Sequence, residues 1–381
     1  MINEAAYWIS IAHLPGWRNK RINEMIIKFH HDQKIGIEEF FRLDEGEWKK
    51  SYGLNDKETE ALLISKSEVP NNSFLAESLD NQGYEIIPLI SQVYPQTLKN
   101  NLKTDYSPAL LYIKGNKEIL KEKSVAIVGS RNAAGISLQF TDNIAKNASG
   151  EYKVVVSGFA KGVDKQALDS AIAYKGQSII VLPQGITTFS SGFKTYYRQI
   201  VDGDILVLST FHPKVPWRTD LAMARNTIIY WLADEIYVAE SSDSGGTWAG
   251  VRDGIRKHRV IFIRQPEHGE KNANIELIKM GAVPVDINGR RITADYSIQP
   301  ERREQGVAEN HGEDLTDSIK LLLKNKPLSA DQIIEQSGTL WTKSTLTNYL
   351  KKLDFIEVKK IRNKNFYFIK GSSEKTEPEL F

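Results

Sequence analysis

The sequence contains no cysteine. Disulfides, thiolate zinc sites and cysteine nucleophiles are therefore excluded. Histidine is sparse. Of the seven, only His30 and His31 adjoin, and none is spaced as HxxxH, so no metal site and no cofactor are expected. Long apolar runs are missing too, and no stretch reaches the roughly 18 residues that a membrane-spanning helix needs. The opening residues MINEAAYWISIAHL carry Glu4 where a secretion signal carries positive charge, so a cytoplasmic location is expected. Excess charge of one sign is also absent, since the formal net charge is +2 over 381 residues. A nucleic-acid role would have to rest on local basic patches. What is present is a hydrophobic fraction of 41%, ample for a core, in a chain long enough for about two or three domains.

Residues 1–70 read as a helical domain, with helices over Ala5–Leu14, Lys20–His31, Ile37–Leu43 and Lys57–Ser65. The LPGW turn at Leu14–Trp17 reads either as a helix-hairpin-helix that holds DNA phosphates or as part of a small packing module. From 71 to 298 strands and helices alternate. Strand candidates are Glu85–Pro88, Ala109–Ile113, Val125–Val128, Lys153–Ser157, Ser178–Leu182, Asp204–Leu208, Glu235–Ala239 and Val260–Ile263. Helical periodicity between most of them predicts an α/β fold, a parallel sheet covered on both faces. Such sheets bind ligands at the carboxyl ends of their strands.

Three Gly-containing turns each follow a strand and precede a helix. They are GSRNAAG from Gly129, SGFAKGVD from Ser157 and SSDSGGTWAG from Ser241. Glycines let backbone approach an anion, and the first N–H groups of a helix point at it. The predicted phosphate groove therefore draws on Gly129, Ser130 and Arg131, on Ser157, Gly158, Lys161, Gly162 and Asp164, and on Ser244, Gly245, Gly246 and Thr247. Ser244, Thr247 and Asp164 serve equally well as helix caps. Among nearby aromatics, Trp248 is the stacking candidate, whereas Tyr230 and Trp231 sit in a helix and read as core.

The ordered series YPQTL, PALLYIKGN, VAIVGSR, SGFAKGVD, IIVLPQGI, ARNTIIYWLADEIYVAE, SGGT and ELIKMGA resembles the DNA-processing protein A (Smf) family, from about Tyr7 to Ala282. The resemblance implies an extended Rossmann-like domain that binds single-stranded DNA, dimerises and loads a RecA-type recombinase. Its basic pocket carries over to Ser130, Arg131, Ser157, Lys161, Gly162, Asp164 and the pair Arg225-Asn226. Departures mark a divergent member: Leu168 where the family has His, Thr210 where it has Glu, Thr227 where it has Arg, SGGT for SGSL, and Arg264-Gln265-Pro266 for a Pro-Gly. A nucleotide-signal sensor is the alternative. An enzyme is not expected, because no nucleophile–base pair or carboxylate dyad stands at a recognisable spacing.

Residues 299–313 read as a linker, 314–371 as a winged-helix domain and 372–381 as a disordered tail. The winged helix places Lys343, Lys351 and Lys352 on or next to its third helix and Lys359, Lys360, Arg362 and Lys364 on its wing. These would contact DNA, or rim a protein-docking surface.

Overall fold

The computed structural model describes residues 4–292, 313–325, 327–337, 343–351, 353–361 and 364–370. They fall into two compact units divided at residue 294.

The first unit is built on one nine-stranded sheet. Its strands are β1 (Glu85–Pro88), β2 (Leu110–Lys114), β3 (Ser124–Val128), β4 (Val154–Ser157), β5 (Ser178–Val181), β6 (Ile205–Ser209), β7 (Glu235–Val238), β8 (Phe262–Arg264) and β9 (Val283–Val285). The order is β1-β2-β6-β5-β4-β3-β7-β8-β9. Strands β3 to β9 pair in parallel, and near one edge β2 runs against them, pairing antiparallel with both β6 and β1. From β3 the chain moves outward through β4, β5 and β6, then returns to lay β7, β8 and β9 on the other side. The switch point falls between β3 and β7.

The central strands are buried at every position, as SVAIV, VVVS, SIIV and ILVLS require. Both faces must then be covered. Ala126, Val128, Val154, Val156, Ile179 and Val181 face one layer, which contains Trp231 and Ile229. Val125, Ile127 and Val155 face Phe140 and Ile144 of the helix Gly135–Gly150 and Ala167 of the helix Val163–Ala173. Farther along, Ile180, Ile205 and Val207 face the N-terminal helices through a core that holds Ile9, Phe29, Phe40 and Trp48.

The N-terminal helices from Glu4 on lay their apolar side over the β2-β6-β5 part of the sheet, within the same compact unit. Helices Glu45–Tyr52 and Val69–Asn81, absent from the sequence reading, complete this layer. Strand β9 was also unforeseen, at three residues with a central proline.

The second unit contains helices Glu313–Asn325, Ala330–Ser337 and Lys343–Leu350, then strands Ile356–Ile361 and Lys364–Ile369 as an antiparallel hairpin. Ile319, Leu323, Ile333, Leu346, Leu350 and Tyr367 form its core. Lys351 and Lys359 are exposed. Lys343, Lys360 and Lys364 lie in these elements, and their side chains are outside the described residues, as are Lys352 and Arg362. The predicted linker up to residue 312 and the predicted tail also lie outside them.

One histidine ties the helical layer to the sheet. His13 stacks on Tyr112 of β2, with Nε2 2.9 Å from its hydroxyl, and meets the His212 ring edge-on at 5.3 Å. Burial, reinforced by His212, pushes its pKa down from 6.5 to about 3. Between those values the unfolded chain takes up a proton that the folded chain refuses, so stability falls as pH drops through that window. Urea unfolding at about pH 7 and about pH 4.5 should show a smaller acid loss for His13→Gln than for the native chain. Equal losses would contradict it.

Candidate functional site

Strands β4, β3 and β7 are sheet neighbours, so the turns after them share one edge. The helix Thr219–Leu232 lies over that edge and contributes Arg225 and Asn226. Together they enclose a cleft of about 420 Å³ at the switch point. Gly129, Ser130, Arg131, Asp164, Arg225, Asn226, Ser244, Gly245, Gly246 and Thr247 all line it. Lys161 lies beyond Arg131, where it borders two adjoining cavities of about 250 and 420 Å³. Arg131 lines all three.

The three turns differ in what their N–H groups do. In the first, Ser130 N–H donates to the Glu240 backbone oxygen at 2.9 Å. Asn132 N–H donates to Ser130 Oγ at 3.1 Å, and Ala134 N–H donates to Glu240 Oε2 at 3.0 Å. This turn binds a carboxylate of its own chain. In the second, the Asp164 carboxyl lies against Gly158, and the backbone of Ala160 and Gly158 favours its charged form. Val163 N–H donates to the Ser130 carbonyl. In the third, Ser244 is the N-cap of the helix Gly245–Arg256, and its side chain makes no cap hydrogen bond. Among the described residues nothing accepts from the N–H groups of Gly245, Gly246 or Thr247. Their partial positive charge is open to the cleft.

Arg225 is buried, at 4% exposure. Its Nη1 donates to the Val181 carbonyl at 2.9 Å, and Nη2 stands 4.0 Å from Asp164 Oδ2. Its Nε has no partner. Burial pushes the Arg225 guanidinium below its ordinary pKa and the Asp164 carboxyl above its own, each opposed by the other's charge. The shifts run opposite to those of a fully compensated ion pair. An anion reaching Arg225 would relieve that deficit.

Several predicted residues serve the scaffold. Ser157 is fully buried and its hydroxyl donates to the Ile127 carbonyl at 2.8 Å, a bond between β4 and β3 rather than a ligand contact. A Cβ on Gly158 would lie 1.7 Å from Arg225 Nη1, so this glycine lets the guanidinium cross the turn. Gly162 has φ +85°, and a Cβ there would lie 2.4 Å from the Ser130 carbonyl. Asp164 braces the second turn and flanks Arg225. Trp248 packs against the core beneath Arg252 and does not line the cleft. The exposed aromatic is Trp217, which borders the smaller cavity with Phe159, Phe189 and Arg131. Tyr230 and Trp231 are core residues, as expected, although Tyr230 also reaches the cleft wall. Glu240 was missed, and its one sequence signal is an acidic residue closing the strand EIYVAE.

These features define a Rossmann-like α/β protein with an arginine-lined cleft at its switch point. Residues 85–296 match the family described as DNA recombination-mediator protein A, and the chain belongs to that family. It is 29% identical over 186 residues to the DNA processing protein DprA of Streptococcus pneumoniae, covering 49% of this chain and 64% of that one. It therefore spans less than two thirds of that relative. It is 28% identical over 208 residues to DprA of Bacillus subtilis, covering 53% of this chain and 68% of the relative. The solved structure of the pneumococcal protein superposes with TM-score 0.61 at 24% identity, over 74% of this chain and 94% of that one, so the fold is shared.

Ser157→Ala should cost about 1 kcal/mol in urea unfolding and leave ligand affinity unchanged. Gly158→Ala should weaken ligand binding, because it displaces Arg225. Unchanged binding in Gly158→Ala would remove Arg225 from the site.

Proposed function

We propose that this chain binds single-stranded DNA in the switch-point cleft and acts without catalysis in DNA uptake, recombination or defence against foreign DNA. The observation that carries this reading is the open helix start at Gly245–Thr247, facing Arg131 and the under-paired Arg225. A backbone phosphate would lie on those N–H groups, with both guanidinium groups beside it. Lys161 and Lys165 extend the basic track past Arg131. Trp217 and Phe159 offer an aromatic surface next to it for base stacking without sequence readout. The family's name as a recombination mediator and the relatives' names as DNA-processing proteins favour nucleic acid as the ligand. Protection of exposed strands in the cytoplasm, dimerisation and hand-over to a RecA-type recombinase belong to the same proposal and rest on family membership. The C-terminal unit, with its order of three helices and a hairpin, reads as a winged helix. Its exposed Lys351 and Lys359 make it a second, weaker DNA contact.

Fluorescence anisotropy with labelled oligo-dT across a salt series tests the proposal. Affinity should fall linearly on a log–log plot, by about 0.7 decades per decade of salt for each phosphate contacted. Arg131→Ala should weaken binding and flatten that slope by roughly one contact. Salt-independent binding, or an unchanged slope in Arg131→Ala, would overturn it.

A further inference from the structure

The first turn occupies the place where a parallel sheet of this kind receives the pyrophosphate of a dinucleotide. It follows the central strand, opens the helix Gly135–Gly150 and lies at the switch point. Here a carboxylate of the chain stands beside that place. Glu240 Oε2 accepts from Ala134 N–H at 3.0 Å and from the Ser137 hydroxyl at 2.7 Å. Ala134 is the N-cap residue, so the carboxylate stands against the positive end of that helix. The arrangement is braced from below. Arg264, at 1% exposure, donates through Nη2 to Ser137 Oγ at 3.0 Å and through Nε to the Ala239 carbonyl at 3.1 Å. Its Nη1 donates to Glu270 at 2.8 Å. Swinging the Glu240 side chain away would leave the Ala134 N–H and the Ser137 hydroxyl without this acceptor, and the Glu240 backbone oxygen separately holds the Ser130 N–H.

We propose that Glu240 is a specificity-determining residue that excludes pyrophosphate-bearing ligands, leaving the cleft one phosphate position at Gly245–Thr247. A second phosphate group placed at the first turn would meet a carboxylate at close range and lose the amide it needs. Single phosphodiesters of a polynucleotide need no such second position, because the next phosphate along the strand lies outside the turn. The inference rests on the switch-point cleft being the phosphate site. It also separates the two readings of the sequence, since a nucleotide sensor would require the place that Glu240 takes.

Isothermal titration of the full chain with inorganic pyrophosphate and with ADP tests it, using the native protein, Glu240→Ala and Glu240→Gln. The alanine variant removes charge and bulk, and should bind pyrophosphate on the order of tenfold more tightly than the native chain. The glutamine variant keeps the bulk and hydrogen-bonding capacity, folds most conservatively, and should gain about threefold. No gain in either variant, with both melting cooperatively, would overturn the proposal. So would native protein that binds pyrophosphate as tightly as Glu240→Ala. Oligo-dT titrated into the same three proteins separates the two ideas. A gain in pyrophosphate affinity without any oligo-dT binding keeps the exclusion and removes the single-strand reading. Oligo-dT binding with no gain removes the exclusion alone.

Discussion

The fold follows from a parallel sheet whose central strands are apolar on both faces. Strands such as SVAIV and VVVS cannot leave either side to water, so helices must cross above and below. Covering one face from β4 to β6 and the other side from β7 to β9 requires the chain to reverse direction beside β3. The reversal brings the turns after β3, β4 and β7 together at one edge. The same demand recruits the N-terminal helices, whose Ile9, Phe29 and Phe40 cover the sheet where the crossover helices do not reach. The cleft is thus a consequence of burying the sheet.

Within the cleft, the governing condition is that the N–H groups of each helix start need an acceptor. The chain meets it at the first turn with the Glu240 carboxylate, which takes the Ala134 N–H, and at the second with the Ser130 carbonyl, which takes the Val163 N–H. It leaves the third start open, beside a buried arginine whose Nε lacks a partner. Two filled positions and one open position make an asymmetric groove. On the proposed reading, this asymmetry, more than the number of basic residues, sets a preference for a single phosphate.

Much of this architecture is legible from the sequence because burial writes it directly. Short apolar runs rich in Val, Ile and Leu located eight of the nine sheet strands, and glycines marked the three turns of the site. Strand β9 escaped because three residues around Pro284 carry no such signal. The helical layer was legible as helices but not as a cover, since periodicity shows an apolar face without showing what it meets. At the site, glycine and arginine identified the cleft, but hydrogen-bond allegiance did not show. GSRNAAG has the letters of a phosphate loop, yet its amides are held by a residue more than a hundred positions away. Ser157 looks like a ligand hydroxyl and serves a neighbouring strand. Such pairings depend on long-range register, which local pattern cannot carry.

The most direct measurement is a backbone amide NMR titration of the full chain with a short oligo-dT. The account predicts that the amides of Gly245, Gly246 and Thr247 shift with saturation, while those of Ser130 and Ala134 stay in place because Glu240 holds them. Saturable shifts at Ser130 and Ala134, with Gly245–Thr247 unmoved, would contradict it.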